Sequence, residues 1–420
     1  MKGPVLCLLL CLASTAFSQD GQDPDLTGYV TRVASATDFD INGWHILCTA
    51  HTLTAPAPSQ AFTSGCPQPT PYLGMPMEIF GSWKRKQHAL VADRLIVKRA
   101  SPKEFASYGI VEAVLSRSTQ STEVRADGYT ILITNDTKLK FGAPLHSLSD
   151  IRPDIWLDYK GIELPDGRVH ASTAWFTPDL MSSSAAAERA RTDYDPSQTT
   201  AQGHPFTEAL IGANAKKIPA WPDAAMEARV SAIGHRLIPA CQLSLSASDP
   251  IRINFRFQVT AGDPFLEQAL ALPSGIILVP HQIVERLQND AQLAAVLADA
   301  IAIEIEAQDS RMDIGVRPTK KRFARDAAID TGEILAFGIP GTLVANGVTE
   351  AHDLRQQEEQ TGRVSLDLMH EAGYDITQAP LAWWLLAPGD PKPIADIRLP
   401  ARAAYLYSVL GTTWQGAIRP

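Results

Sequence analysis

The feature that most constrains this chain is a change of hydrophobic period. Up to about Thr177 apolar residues alternate with polar ones, as in half-buried β-strands; from Asp223 onward they recur every three or four residues, as in amphipathic helices. A chain that changes period in this way packs as two kinds of layer, so a β-rich front and a helical rear are expected. Its 45% hydrophobic and 20% charged residues are ordinary for a globular protein and leave no room for a disordered tail or a coiled coil. The 420 residues are enough for two or three domains. A net charge of −9 excludes a general nucleic-acid binder, which needs a basic field.

The β-rich half repeats itself. Gly28-Tyr29-Val30-Thr31-Arg32-Val33 opens the first stretch, Asn42-Gly43 turns a hairpin, and the segment closes with Leu90 to Val97. About eighty residues later Gly109-Ile110-Val111-Glu112-Ala113-Val114 opens a second stretch, and Asp127-Gly128 turns its hairpin. Ile155 to Gly161 and Val169 to Trp175 complete it. Two tandem antiparallel β domains, 27–99 and 109–177, are expected, and their strand pattern resembles small OB-like barrels. A Ser- and Ala-rich linker over 178–204 separates them from a mostly helical α+β region over 205–390, with a helical segment over 391–420.

Met1–Ser18 reads as a cleavable export signal: Lys2, a short apolar run from Val5 to Leu12, then Ala16-Phe17-Ser18. The run is too short to span a bilayer, and no later stretch qualifies; Ile334 to Val348 is short and holds Pro340. The chain is therefore expected to be secreted or periplasmic, without a transmembrane segment once Met1–Ser18 is removed. Removal of Lys2 takes the net charge from −9 to −10. Cys7 and Cys11 leave with the signal. In an oxidising compartment Cys48 and Cys66, flanking a Pro-rich loop, form the expected disulfide, and Cys241 is expected to be a buried thiol.

The helical half carries three ordered motifs. Gln268 to Val279 reads QALALPSGIILV, Asp290 to Ile303 reads DAQLAAVLADAIAI, and Glu358 to Ile376 reads EEQTGRVSLDLMHEAGYDI. They resemble the strand, active helix and later helix of the HtpX and CAAX prenyl endopeptidase zinc metallopeptidases, in particular their soluble periplasmic members. The corresponding family patterns read like NAFALPGGYIFV, DELAAVLAHEIAH and EREADRLGLELMARAGYDP.

The departures bear on function. The resemblance places a first zinc histidine at Asp299, the general base at Ala300, the second histidine at Ile303, the third ligand at Glu358 and a supporting Asp at Gly362. Isoleucine has no donor atom and alanine takes no proton, so these are vestigial positions, with no zinc and no catalytic residue expected. The resemblance also implies a peptide-pairing edge strand at Ser274, Gly275, Ile276, Ile277, Leu278 and Val279. The expected function is a secreted pseudopeptidase that binds a polypeptide or partner protein and needs no cofactor. Two alternatives remain: an active zinc endopeptidase with unusual ligands, and envelope-polymer or glycan binding by the β domains.

Other constellations have plainer readings. Asp38 to Gly43 begins like a calcium loop, but its twelfth position is Thr49, so a hairpin is expected. His45, Cys48, His51 and Cys66 have ligand chemistry, yet His45 and Cys48 fall on opposite faces of one strand. His235, His281, His352 and His370 share no ligand spacing. Lys84-Arg85-Lys86 beside Trp83 and Lys320-Lys321-Arg322 beside Phe323 are expected to be solvated loops.

Overall fold

The computed structural model describes residues 23–56, 63–64, 70–84, 89–98, 104–178, five positions between 186 and 193, 220–261, 268–306, 348–387 and 399–418. The export signal, Cys66, Arg85, Lys86 and Lys320-Lys321-Arg322 lie outside the described residues, as does Ile334 to Ala345 with most of the linker. The expectations placed on them, the Cys48–Cys66 disulfide included, carry no structural account.

The first sheet runs through β1 (Leu26–Val33), β2 (Asp38–Ile41), β3 (Trp44–Pro56), β4 (Thr63–Ser64), β5 (Pro76–Lys84) and β6 (Ala89–Val97). Pairing of β2 with both β1 and β3 closes five of these strands into a barrel of order β1-β2-β3-β6-β5. The second uses β7 (Glu104–Arg117), β8 (Ser121–Ala126), β9 (Tyr129–Thr134), β10 (Lys138–Phe141), β11 (Ile155–Glu163) and β12 (Val169–Pro178). It closes in the same way, β7-β8-β9-β12-β11, and β10 adds a parallel flank to β12. The expectation of antiparallel barrels needs one correction. The closing pairs β3–β6 and β9–β12 are parallel, because the third and last strands of each barrel run the same way.

The repeat is preserved in detail. Asn42-Gly43 and Asp127-Gly128 all have positive φ, at 49° and 79° and at 57° and 67°, so both hairpins take the tight turn whose twist suits strand pairing. Each barrel has a ladder irregularity at a glycine, before Gly81 and before Gly161, where an added Cβ would meet backbone carbonyls at 2.1 and 2.7 Å. Each also uses a threonine plug. Thr52 Oγ1 donates to Ala92 O at 2.7 Å and accepts from Thr49 N; Thr137 Oγ1 donates to Ala171 O at 2.7 Å and accepts from Thr134 N. Val30, Phe39, Ile41, Ile46, Ile79, Leu90 and Leu95 fill the first barrel, and Val111, Val124, Ile131, Ile133, Leu157 and Phe176 the second.

The helical region begins with α1 (Ala224–Arg236), capped by Asp223, which accepts from Ala225 N and Met226 N at 3.0 Å. Val230, Ile233 and Leu237 are buried on one face, as the spacing predicts. After α2 (Ala240–Ser244) a three-stranded sheet forms from β13 (Arg256–Thr260), β14 (Leu270–Ala271) and β15 (Ile276–Pro280). Strand β13 starts only at Arg256, where the chain first finds a partner in β15. Then follow α3 (His281–Arg286), α4 (Asp290–Glu306), α5 (Val348–Glu371), α6 (Gln378–Leu385), α7 (Ala401–Gly411) and α8 (Gln415–Ile418). Asn289 caps α4 through Gln292 N at 2.9 Å, and Gly373, φ 71°, ends α5. Helix α4 is buried nearly all round, the signature of a central core helix. Among the described residues no helix is long and apolar enough to cross a membrane.

Candidate functional site

The positions that the resemblance assigns to a zinc site lie on α4 and α5, with α7 packed beside them. Asp299 is 4% exposed on α4, and its Oδ1 accepts a hydrogen bond from Arg402 Nη2 at the start of α7. The Arg402 guanidinium lies 3.6 Å from the Trp383 ring centroid on α6, and its Nη1 reaches Gln268 Oε1 at 3.4 Å. Arginine suits this place: it stays charged when buried, and its flat face stacks on an indole. Ala300 is buried and Ile303 half-buried against the same apolar core. Glu358 is exposed on α5, one turn before Gly362. A side chain added at Gly362 would meet Leu406 and Tyr405 of α7 at 3.4 and 3.5 Å. Helix α7 therefore packs where the resemblance needs a supporting acid, and its arginine supplies the cation that Asp299 faces.

No described histidine joins Asp299. His281 stacks on Trp221 at 3.7 Å and bonds Glu285 at 3.0 Å; His235 caps back onto Ser231 O at 2.7 Å; His370 lies against Trp414 at 4.8 Å. The side chain of His352 lies outside the described residues. Among the described residues one group, Asp38, Asp40 and His45, has the spacing to hold a metal. Arg32 already sits on it, with Nε 2.7 Å from Asp40 and Nη2 2.8 Å from Asp38. The hairpin expected over Asp38 to Gly43 forms there in place of a calcium loop. His45 turns outward to Asp40 while Cys48 packs on the barrel core, the opposite facing that their odd spacing implies.

The expected edge strand is corrected. Ile276, Ile277, Leu278 and Val279 lie in β15, the middle strand, parallel to β13 on one side and antiparallel to β14 on the other. Ser274 and Gly275 form the turn that leads into it, Gly275 at φ 86°. All of β15 is buried. Its continuous apolar run is that of a strand covered on both faces, a pattern that sequence alone does not separate from an apolar edge. Strand addition needs unpaired backbone, and β15 has its partners already.

The densest polar constellation lies elsewhere, at the seam between the second barrel and α5. Gln360, Arg363, Asp367 and Glu371 fall at i, i+3, i+7 and i+11, one stripe of the helix. Arg363 Nη2 donates to Asp127 Oδ1 at 2.5 Å, its Nη1 to Tyr405 Oη at 2.7 Å, and Tyr159 Oη donates to Asp127 Oδ2 at 2.7 Å. Burial is the largest influence and disfavours charge on Arg363, but the facing Asp127 carboxylate together with the hydroxyls of Tyr405, Tyr129 and Tyr159 outweighs it and holds the guanidinium above its ordinary range. Gln360 Nε2 donates to Tyr108 O, and Arg125 on β8 reaches both Glu371 and, at 3.4 Å, Asp367. Ile110 and Trp156, opposite each other on β7 and β11, point out of the barrel into the helical core. Beside this seam Arg125, Tyr129, Arg168, Asp367, His370 and Trp414 line a pocket.

Sequence reading gave this seam no role. The available signal was a polar stripe, Gln360, Arg363 and Asp367, threaded among Val364, Leu366, Leu368 and Met369. Such a stripe marks a face buried against polar partners. Cys241 fits its expectation: it is buried, and burial pushes its thiol well above the usual value. Compared with protein-family models and with curated proteins, the chain matches none.

Proposed function

We propose that this is an exported, catalytically silent relative of the HtpX-type metallopeptidases, carrying two OB-like barrels, that acts by binding a polypeptide or partner protein. The observation that carries this reading is Arg402 on Asp299. A catalytic zinc site keeps three protein donors and an open position. Here the one acid at the zinc-like positions of α4, Asp299, is engaged by a resident guanidinium, and Ala300 and Ile303 offer neither base nor ligand. With β15 internal, a bound polypeptide must use a surface other than that strand. The OB-like reading of the barrels rests on their closing order, three antiparallel strands followed by a parallel return. The test is metal analysis of the chain without Met1–Ser18, with casein as substrate. Less than a tenth of a zinc ion per chain (an order-of-magnitude threshold) and no cleavage are expected. Stoichiometric zinc with chelator-sensitive cleavage reverses the reading in favour of an active endopeptidase.

A second reading, glycan binding by the barrels, has one observation in its favour. Trp44 and Trp83, about two-fifths exposed, meet edge to face at 5.0 Å. Their cross-strand partners Ile41 and Leu90 belong to the barrel core, so both indoles lie on the inward face at one end of the first barrel. Indoles placed there offer a stacking surface at a barrel mouth. Calorimetric titration with neutral oligosaccharides tests it; binding that survives both Trp44→Ala and Trp83→Ala ends this reading.

A further inference from the structure

Glu112 lies on β7, on the outward face it shares with Ile110, and is buried against the helices. Its carboxyl group faces Asp367 of α5, and among the described residues neither of its oxygens, both buried, has a hydrogen-bond partner. Two ionised carboxylates are acceptors only, so a buried pair that face each other can bond only if one of them retains a proton. The surroundings do little to favour charge. Asp367 faces it from α5, with Glu371 and His370 farther along that helix at the seam; Glu306 faces it from the end of α4; Cys241 approaches from α2; Asp154 stands at the loop before β11; Arg125 on β8, which also reaches Asp367 and Glu371, is the cation among the described residues that acts on it. Asp154 itself is bonded by Gln242 of α2 at 3.3 Å, across the same joint.

We propose that the joint between the second barrel and the helical region is acid-clamped: a proton held between Glu112 and Asp367 keeps β7 packed on α5, and its loss loosens the joint. Burial first, and the neighbouring Asp367 next, push the Glu112 carboxyl well above the carboxylate range, while Asp154 is pushed up to about 6, chiefly by burial. The sign follows from linkage. A carboxyl held protonated by the fold stabilises it fully below the ordinary carboxyl value, and that stability is lost as pH rises through the raised value. The joint therefore tightens in acid and loosens toward neutral and alkaline pH, the reverse of ordinary acid denaturation. The first barrel has no counterpart: the position matching Glu112 is Thr31, whose hydroxyl accepts from Gly43 N at 3.0 Å and lies 3.4 Å from Asp40 O. An exported protein meets whatever pH its surroundings impose, so a clamp of this kind would couple barrel docking to that environment.

Hydrogen exchange on the full folded chain from pH 5 to 8, corrected for chemical exchange rates, tests it. In wild type the opening constant of amides in β7 and the second half of α5 rises up to about tenfold per pH unit, one proton's worth, while those of β1 and β5 stay flat. Glu112→Gln keeps the shape, donates to Asp367 as the acid does, and flattens the slope at the seam. Asp154→Asn leaves most of the slope in place. The proposal is overturned if seam amides show no more pH dependence than the first barrel, or if the slope survives in Glu112→Gln. Should that variant fail to fold, the wild-type contrast between the two barrels still decides.

Discussion

The two barrels share an order of strands, a pair of tight turns, a glycine irregularity and a threonine plug, yet they meet the rest of the molecule differently. At matching hairpin turns one has Asn42 and the other Asp127. Asn42 is satisfied within its own barrel: its Oδ1 accepts from Tyr29 N at 3.0 Å and its Nδ2 donates to Thr27 O at 3.2 Å. Asp127 has no amide to donate and is fully buried, so it needs a cation, and Arg363 from a helix more than two hundred residues later provides one. At the matching strand position Thr31 bonds local backbone, while Glu112 turns into the helices. The first barrel meets α7 through close backbone: a Cβ on Gly74 would overlap Tyr407 O at 1.9 Å. Equivalent topology thus gives one barrel that satisfies its own polar turn and one whose polar groups are completed by the helical region. The lesson is that a fold repeats through its backbone, whereas its partners are chosen by a few buried side chains.

The comparison is broken most severely by Asp127→Asn, which makes the second turn resemble the first and leaves Arg363 buried without its carboxylate. Removing one member of a buried pair costs about 3–5 kcal/mol. Urea denaturation should show that loss. The mirror-image Asn42→Asp substitution should cost far less, because that turn is partly exposed. If Asp127→Asn is neutral, the seam is not held by the ion pair, and the barrels are more alike than their contacts imply.

The comparison is sharpened by a smaller pair of changes. Thr52→Val and Thr137→Val each remove the hydroxyl that accepts from a loop amide and donates to the last barrel strand. Each leaves a buried carbonyl unpaired, at about 1–3 kcal/mol. Equal losses in the two barrels are expected, since the plug is internal to both. A clear difference would mean that docking onto the helices supports the second plug as well.

Much of this was legible in the residues. Asn42-Gly43 and Asp127-Gly128 between alternating strands announce their hairpins, because few other dipeptides accept two positive φ angles in a row. The spacing of Val230, Ile233 and Leu237 gives the buried face of α1, and Asp223 its start. The absence of donor atoms at Ala300 and Ile303 is visible without coordinates, since an aliphatic side chain has no lone pair in any fold. What stayed hidden has a common cause. Arg402 is about a hundred residues from Asp299, and Arg363 still farther from Asp127; no local period encodes such pairings. The internal position of β15 was hidden for a related reason, because Leu270 and Ala271 form too short a strand to be read in advance.

The sequence by itself therefore determined the local geometry: where the chain turns, which strand faces are apolar, where helices begin, and which chemistry the residues at the zinc-like positions lack. Tertiary structure alone decided which charges meet, that a guanidinium faces Asp299, that β15 has both neighbours, and that Glu112 is buried beside Asp367. The physical reason is range. Dihedral preference and hydrophobic period act over a few residues, while the cost of burying a charge is settled only by whatever side chain the completed fold brings against it.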